Sequence, residues 1–207
     1  MEKGKLFVIS GPSGAGKGTI CNELIKQSNV ALSVSMTTRP PRRGEIEGQS
    51  YYFVTEERFV EEIGRDGFLE HASIFGNYYG TPKQAVYEYL EKGRDVILEI
   101  DVQGAMQVRR SCPDAIFIFV LPPDLDELAF RMTGRGTESP EQMSRRLEQA
   151  CVEIARVVDY NYFIVNDKLQ DAVESILAII RAEHSRVTDT IVSRIAAYGM
   201  ASGCSEN

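Results

Sequence analysis

Tryptophan is absent from the 207 residues, histidine occurs twice and cysteine four times. The cysteines, Cys21, Cys112, Cys151 and Cys204, stand too far apart for a Cys-x-x-Cys pair and form no secreted framework. With only His71 and His184 beside them, a zinc site is not expected. No apolar run approaches the roughly 18 residues of a membrane helix, and Met1 to Gly4 leads straight into a strand-like segment without a signal-peptide core. A cytoplasmic protein with no membrane partner is therefore expected. Positive charge is also in deficit: 23 Lys and Arg against 30 Asp and Glu leave −7, which argues against a broadly basic nucleic-acid surface. Any phosphate chemistry must rest on local clusters of Lys and Arg. Internal repeats, low-complexity tracts and interdomain linkers are lacking as well.

What is present is an ordinary globular composition, 43% apolar and 26% charged. Apolar runs of strand length recur at Leu6–Ile9, Val96–Leu98, Ile116–Val120 and Phe163–Val165. Because they are apolar throughout rather than alternating, they predict strands buried on both faces, as in a parallel α/β sheet. Helix starts are written at Thr81-Pro82, where a hydroxyl would cap, and at Asp124 before Glu127 and Ser139-Pro140 before Gln142, in capping-box spacing. Ala172, Ile176, Ile179 and Ile180 fall at helical intervals, predicting a helix over 169–185. Residues 35–80 change texture to Pro, Gly, Arg and Tyr, with a turn at Glu47-Gly48 and a strand-like Ser50–Val54. They predict a small antiparallel insert. A further amphipathic helix is expected at 187–198, then a polar tail.

The strongest local signal is Gly11-Pro12-Ser13-Gly14-Ala15-Gly16-Lys17-Gly18-Thr19, between the first strand and a helix. Glycines let successive N–H groups face a phosphate, the helix start adds positive potential, and Lys17 brings a full charge. The run departs from the usual motif in having Gly18 where Ser or Thr follows the lysine. Position 18 therefore offers Mg²⁺ no hydroxyl, and Thr19 either contacts a phosphate or merely starts the helix. Farther on, Arg39 and Arg42, spaced by two prolines, can present two guanidinium forks to one phosphate.

The runs Ser35-Met36-Thr37-Thr38-Arg39-Pro40-Pro41-Arg42, Gly76-Asn77-Tyr78-Tyr79-Gly80-Thr81, Leu98-Glu99-Ile100-Asp101-Val102-Gln103-Gly104 and Gly134-Arg135-Gly136-Thr137-Glu138 complete a pattern. With the phosphate loop, the chain resembles the guanylate kinases, of the bacterial rather than the scaffold-protein type, over residues 4–184. The resemblance implies a three-layer P-loop fold with a parallel sheet core (4–34, 85–125 and 152–184), a GMP-binding insert (35–84), a lid (126–151) and a C-terminal helix and tail (185–207). It implies that Ser35, Arg39, Arg42, Tyr51 and Tyr79 hold the acceptor phosphate. Glu70, Thr81 and Asp101 would meet guanine, with Ser35 also close. Carboxylates suit guanine, whose N1–H and 2-amino group are adjacent donors, while a hydroxyl can donate to O6; adenine presents the opposite pattern. Tyr78 reads as packing, and nothing pairs His71 with a nucleophile.

The resemblance also makes Arg131, Arg135 and Arg146 the groups that neutralise charge at the transferring phosphoryl. It places Asn166 on the adenine side. Glu99 and Asp101, two apart at a strand end, are expected to point to opposite faces unless the strand has ended, one to serve the base and the other the Mg²⁺-bound waters. Lys17, Arg39, Arg42, Arg135 and Arg146 are the expected catalytic set. ATP, GMP and Mg²⁺ are the implied substrates and cofactor; dGMP and self-association stay open. Two other readings remain at this point: a P-loop kinase for a different phosphorylated acceptor, and a kinase-like module that binds phosphorylated peptides.

Overall fold

The computed structural model of the chain describes residues 3–74, 76–133, 140–187 and 195. The chain divides into two units, residues 1–173 and 174–207. In the first, β1 (Leu6–Ser10) is buried along its whole length and leads through the glycine-rich loop into α1 (Lys17–Gln27). Then come β2 (Ala31–Leu32), β3 (Met36–Thr37), β4 (Tyr52–Phe53), α2 (Glu56–Gly64), β5 (Phe68–Ile74) and β6 (Asn77–Pro82). The chain continues with α3 (Lys83–Glu91), β7 (Val96–Glu99), α4 (Val102–Ser111), β8 (Ile116–Leu121), α5 (Leu125–Thr133) and α6 (Pro140–Ile154). A 3-10 turn (Ala155–Asp159) and β9 (Tyr162–Val165) follow, and α7 (Leu169–His184) runs on into the second unit.

One sheet has the order β2-β7-β1-β8-β9, and all its pairs are parallel. β1 sits between β7 and β8, so the strand order reverses around it, and the carboxyl ends of those strands open the crevice where such folds bind ligands. Val8, Leu98, Phe117, Ala105 and Val108 form a buried core with Leu69 and Val86. Burying a side chain such as Phe117 contributes roughly 2–3 kcal/mol, enough to hold the loops at the strand ends in place. Leu128, Met132 and Ala150, flanked by Met143 and Leu147, join α5 to α6.

The apolar runs are parallel strands as expected, with one difference. β9 lies at the sheet edge, and Phe163 and Val165 remain 62% and 46% exposed while Ile164 is buried. The second sheet, β4-β3-β6-β5, is mixed rather than antiparallel. β3–β6 and β5–β6 are antiparallel, but β4 pairs parallel with β3, because residues 38–51 return the chain to the same end before β4 begins. That strand is also shorter than Ser50–Val54; Gly48, at φ 72°, makes the expected turn and donates to the Tyr51 carbonyl at 2.9 Å.

The capping signals divide in outcome. Asp124 Oδ1 accepts the Glu127 N–H at 2.7 Å, but the Glu127 carboxylate pairs with Arg131 instead of closing the box. Thr81 is no helix cap: Pro82 stands at that position and the Thr81 hydroxyl is used elsewhere. Ser139, and the expected helix at 187–198 apart from Val187 and Ile195, lie outside the described residues. α7 matches the predicted helix to within a residue, with Ala172, Ile176 and Ile180 buried. Among the described residues, no helix is long and apolar enough to cross a membrane.

Candidate active site

The loop from Gly11 to Lys17 leaves β1 and enters α1 through Gly16, whose φ of 89° is the left-handed conformation that glycine adopts without strain. A Cβ on Gly16 would collide with the Asn166 side-chain amide. That amide donates to the Ala15 carbonyl at 2.8 Å, so Asn166, just past β9, braces the loop from the neighbouring strand end. Its own carbonyl accepts Arg131 Nη1 at 3.0 Å, while Arg131 Nε bonds Glu127 at 2.7 Å. Arg146, on α6, donates to the Ser13 hydroxyl at 2.9 Å. Arg135 lies outside the described residues.

Lys17 is folded over its own loop, donating to the carbonyls of Gly11 at 2.7 Å and Pro12 at 3.1 Å. Burial lowers its pKa, opposed by the carboxylates of Glu99, Glu153 and Asp101. The departure at Gly18 has a structural counterpart. A Cβ there would stand 3.3 Å from Glu99 Oε1, so a carboxylate occupies the space beside the position that lacks a hydroxyl. Thr19, in the first turn of α1, is exposed.

Across the cleft, Arg39 is held on several sides. Its Nη1 and Nη2 fork onto Glu45 at 3.0 and 2.8 Å, and Nη1 also donates to the Pro40 carbonyl at 2.7 Å. The guanidinium carbon lies 5.4 Å from the Tyr51 ring centre and 5.9 Å from that of Phe53. The side chain is only 10% exposed, yet Nε is buried with no acceptor among the described residues. Glu45 also accepts the Arg42 backbone N–H at 2.7 Å, and the Arg39 bonds with this one hold its carboxyl down at about 2. The Arg42 side chain is exposed and lines the cleft. Ser35, half-buried, accepts the Tyr52 N–H on its carbonyl at 2.9 Å. Tyr51 and Tyr79 meet edge to face at 6.0 Å, and Tyr78 stacks on Phe59 as packing.

The base-side residues converge through sheet register. Glu70 on β5 lies opposite Thr81 on β6, and the buried Thr81 hydroxyl donates to Glu70 Oε1 at 2.7 Å. Asp101, just beyond β7, caps α4 by accepting the Gly104 N–H at 2.7 Å. A Cβ on Gly104 would stand 2.8 Å from Glu70 Oε2 and 3.3 Å from Asp101 Oδ1, so both carboxylates approach the same point. Burial, with the Asp101 charge adding to it, pushes the Glu70 carboxyl up to about 7 against the Thr81 hydrogen bond. His71 is tied by its backbone to the Gln107 side chain.

Ser13, Arg42, Asp101, Arg146 and Glu153 line one cleft of about 1290 Å³. The sequence reading missed Glu45, Gly104 and Glu153. Only Glu45 had a local signal, an acid closing the rigid arginine–proline run. Among the described residues, no cluster of three or more acidic, His or Cys side chains could hold a metal by itself.

A phosphate-binding loop at the strand-order reversal, facing arginines and carboxylates across one cleft, defines a P-loop phosphotransferase. The family model described as guanylate kinase matches residues 3–183. A guanylate kinase of Clostridium tetani is 57% identical over 187 residues, 90% of each chain. One of Latilactobacillus sakei is 50% identical over 192 residues, 92% of this chain and 95% of that one. The crystal structure of guanylate kinase from Anaplasma phagocytophilum superposes with a TM-score of 0.75 at 34% identity, covering 90% of this chain and 89% of the other. The chain belongs to the guanylate kinase family and is a nucleoside monophosphate kinase that phosphorylates GMP from ATP.

Proposed function

We propose that the reaction is direct in-line transfer of the γ-phosphoryl group to a phosphate oxygen of GMP, with no enzyme nucleophile. The acceptor is already an anion and needs no protein base, so the residues position charge and exclude water. Residues 11–19 receive the donor phosphates, and Lys17 exchanges its Gly11 and Pro12 carbonyl partners for phosphate oxygens. Arg146 already lies against that loop, and Arg131 and Arg135 complete the donor-side charge. Glu70, Thr81 and Asp101 receive guanine; residues 35–84 form the acceptor insert and 126–151 the lid.

One observation carries the acceptor assignment. Arg39 has its Nη1/Nη2 edge on Glu45 and a buried Nε with no acceptor. A buried donor left unpaired costs about 1–3 kcal/mol, and an incoming phosphate oxygen on that side supplies the missing partner. Arg42, Tyr51, Tyr79 and Ser35 lie around the same loop.

The donor set also fits Mg²⁺ held chiefly by phosphate oxygens and water, and the Glu99 carboxylate beside Gly18 would accept from metal-bound waters. When bound, the ion neutralises charge between the transferring phosphates. Replacing Lys17 by Met tests the donor site: turnover should fall at least about a hundredfold with the melting temperature kept or raised, because a desolvated ammonium is removed. Undiminished turnover in folded Lys17→Met protein would sink the assignment.

A further inference from the structure

β5 is an edge strand of its sheet, so the backbone groups along its outer side have no neighbouring strand to pair with. Helix α4 takes that place. Gln107 lies side-on to the strand: its Oε1 accepts the His71 N–H at 3.1 Å, and its Nε2 donates to the His71 carbonyl at 2.9 Å. One side-chain amide thus supplies the paired acceptor and donor that a neighbouring strand would offer. One turn farther along α4, the Ser111 hydroxyl stands 3.4 Å from the carbonyl of Leu69, two residues back along β5. Four helix residues rise about 6 Å and two strand residues about 6.6 Å, so helix and strand keep step.

The residue between those two contacts is Glu70. Its carboxylate and that of Asp101 approach the same point at Gly104, yet they arrive from different sheets. Glu70 belongs to β5 of the mixed sheet, whereas Asp101 follows β7 of the parallel sheet and caps α4. The Thr81 hydroxyl orients Glu70 from within the mixed sheet and does not set its distance from Asp101. Gln107 does, because it ties the backbone next to Glu70 to the helix that Asp101 caps. We propose that Gln107 is the positioning residue for guanine selectivity, holding β5 against α4 so that Glu70 and Asp101 are set for one base before GMP arrives. The inference rests on Glu70 and Asp101 receiving guanine. Arg39, Tyr51 and Tyr79 stand on or beside β3, β4 and β6, so the grip on the acceptor phosphate does not pass through this clamp.

The test is Gln107→Met in the full chain, which keeps the side-chain length and a good helix former while removing both hydrogen bonds. The KM for GMP should rise about tenfold and the preference for GMP over AMP in kcat/KM should fall about tenfold, with kcat for GMP and the KM for ATP little changed. An unchanged preference overturns the inference, as does an equal loss for GMP and ATP, the mark of a contact that only supports the fold. The pH profile gives a second readout. Burial chiefly, with Asp101 adding to it and Thr81 opposing, lifts the Glu70 carboxyl to about 7. A loosened β5 admits water, so the acid limb of the profile of the KM for GMP should move to lower pH in the variant; an unmoved limb overturns the inference. In the unmodified protein, the His71 N–H should exchange with solvent at least about a hundredfold more slowly than a free amide. Exchange at the free-amide rate overturns the inference even if the variant fails to fold. A Glu70→Gln protein that keeps its full preference for GMP would instead refute the guanine-site reading.

Discussion

Lowering the pH from about 8 to about 6 should raise the KM for GMP about tenfold, and the cause is a single carboxyl group. Glu70 is 6% exposed, sits beside Asp101, and has its carboxyl pushed up to about 7. Only the ionised form accepts from both the N1–H and the 2-amino group of guanine. With that pKa the ionised fraction drops from roughly nine-tenths to roughly one-tenth over the interval, which sets the tenfold change. The same group acts on the empty protein in the opposite direction. Its folded pKa lies above the ordinary 4.5, so the folded state binds more protons than the unfolded chain between those values. Stability should therefore fall as pH rises through that window, by about 3 kcal/mol when complete. The assay is KM for GMP against pH at saturating ATP, with Glu70→Gln run in parallel to remove the titration of the GMP phosphate itself. Thr81→Val removes the bond that holds the pKa down and should move the profile to higher pH. A KM for GMP that is flat from about pH 8 to about pH 6, or identical in shape in Glu70→Gln, would refute the reasoning.

Other substitutions separate the two halves of the site. Gly104→Ala places a methyl 2.8 Å from Glu70 Oε2, and should raise the KM for GMP at least about tenfold with the KM for ATP unchanged; steady-state kinetics with each substrate varied decides it. Glu45→Gln breaks the fork that aims Arg39 and should weaken GMP about tenfold in a binding titration, with ATP unaffected; equal loss for both substrates would contradict a local role. Asn166→Ala leaves the Ala15 carbonyl without its buried partner, costing about 1–3 kcal/mol in chemical denaturation and raising the KM for ATP.

The features legible in the sequence are those written within a few residues of one another. Gly11–Thr19 carries its own conformational requirement, and a both-faces-buried strand such as β8 announces itself by an unbroken apolar run. β9 carries the same signal, yet as an edge strand it leaves Phe163 exposed, because composition reports affinity for burial and not position in the sheet. The parallel β3–β4 pair depends on how residues 38–51 travel, which no local pattern encodes. Thr81 shows how a local rule yields to a distant partner: a hydroxyl before a proline reads as a cap, but register across β5–β6 gives it to Glu70. Gly104 and Glu153 stayed hidden for the same reason. Their meaning lies in what comes near them, a carboxylate from β5 in one case and the charge of Lys17 in the other.

The central claim is that one cleft joins a donor-phosphate loop to a guanine-selective acceptor site. It is tested most directly by ADP formation from ATP and magnesium with GMP, AMP, CMP or UMP as acceptor, beside a control with none. The account predicts rapid turnover with GMP, at least about a hundredfold slower turnover with the other three, and little hydrolysis without acceptor. Comparable turnover with AMP, or ADP release indifferent to GMP, would contradict it.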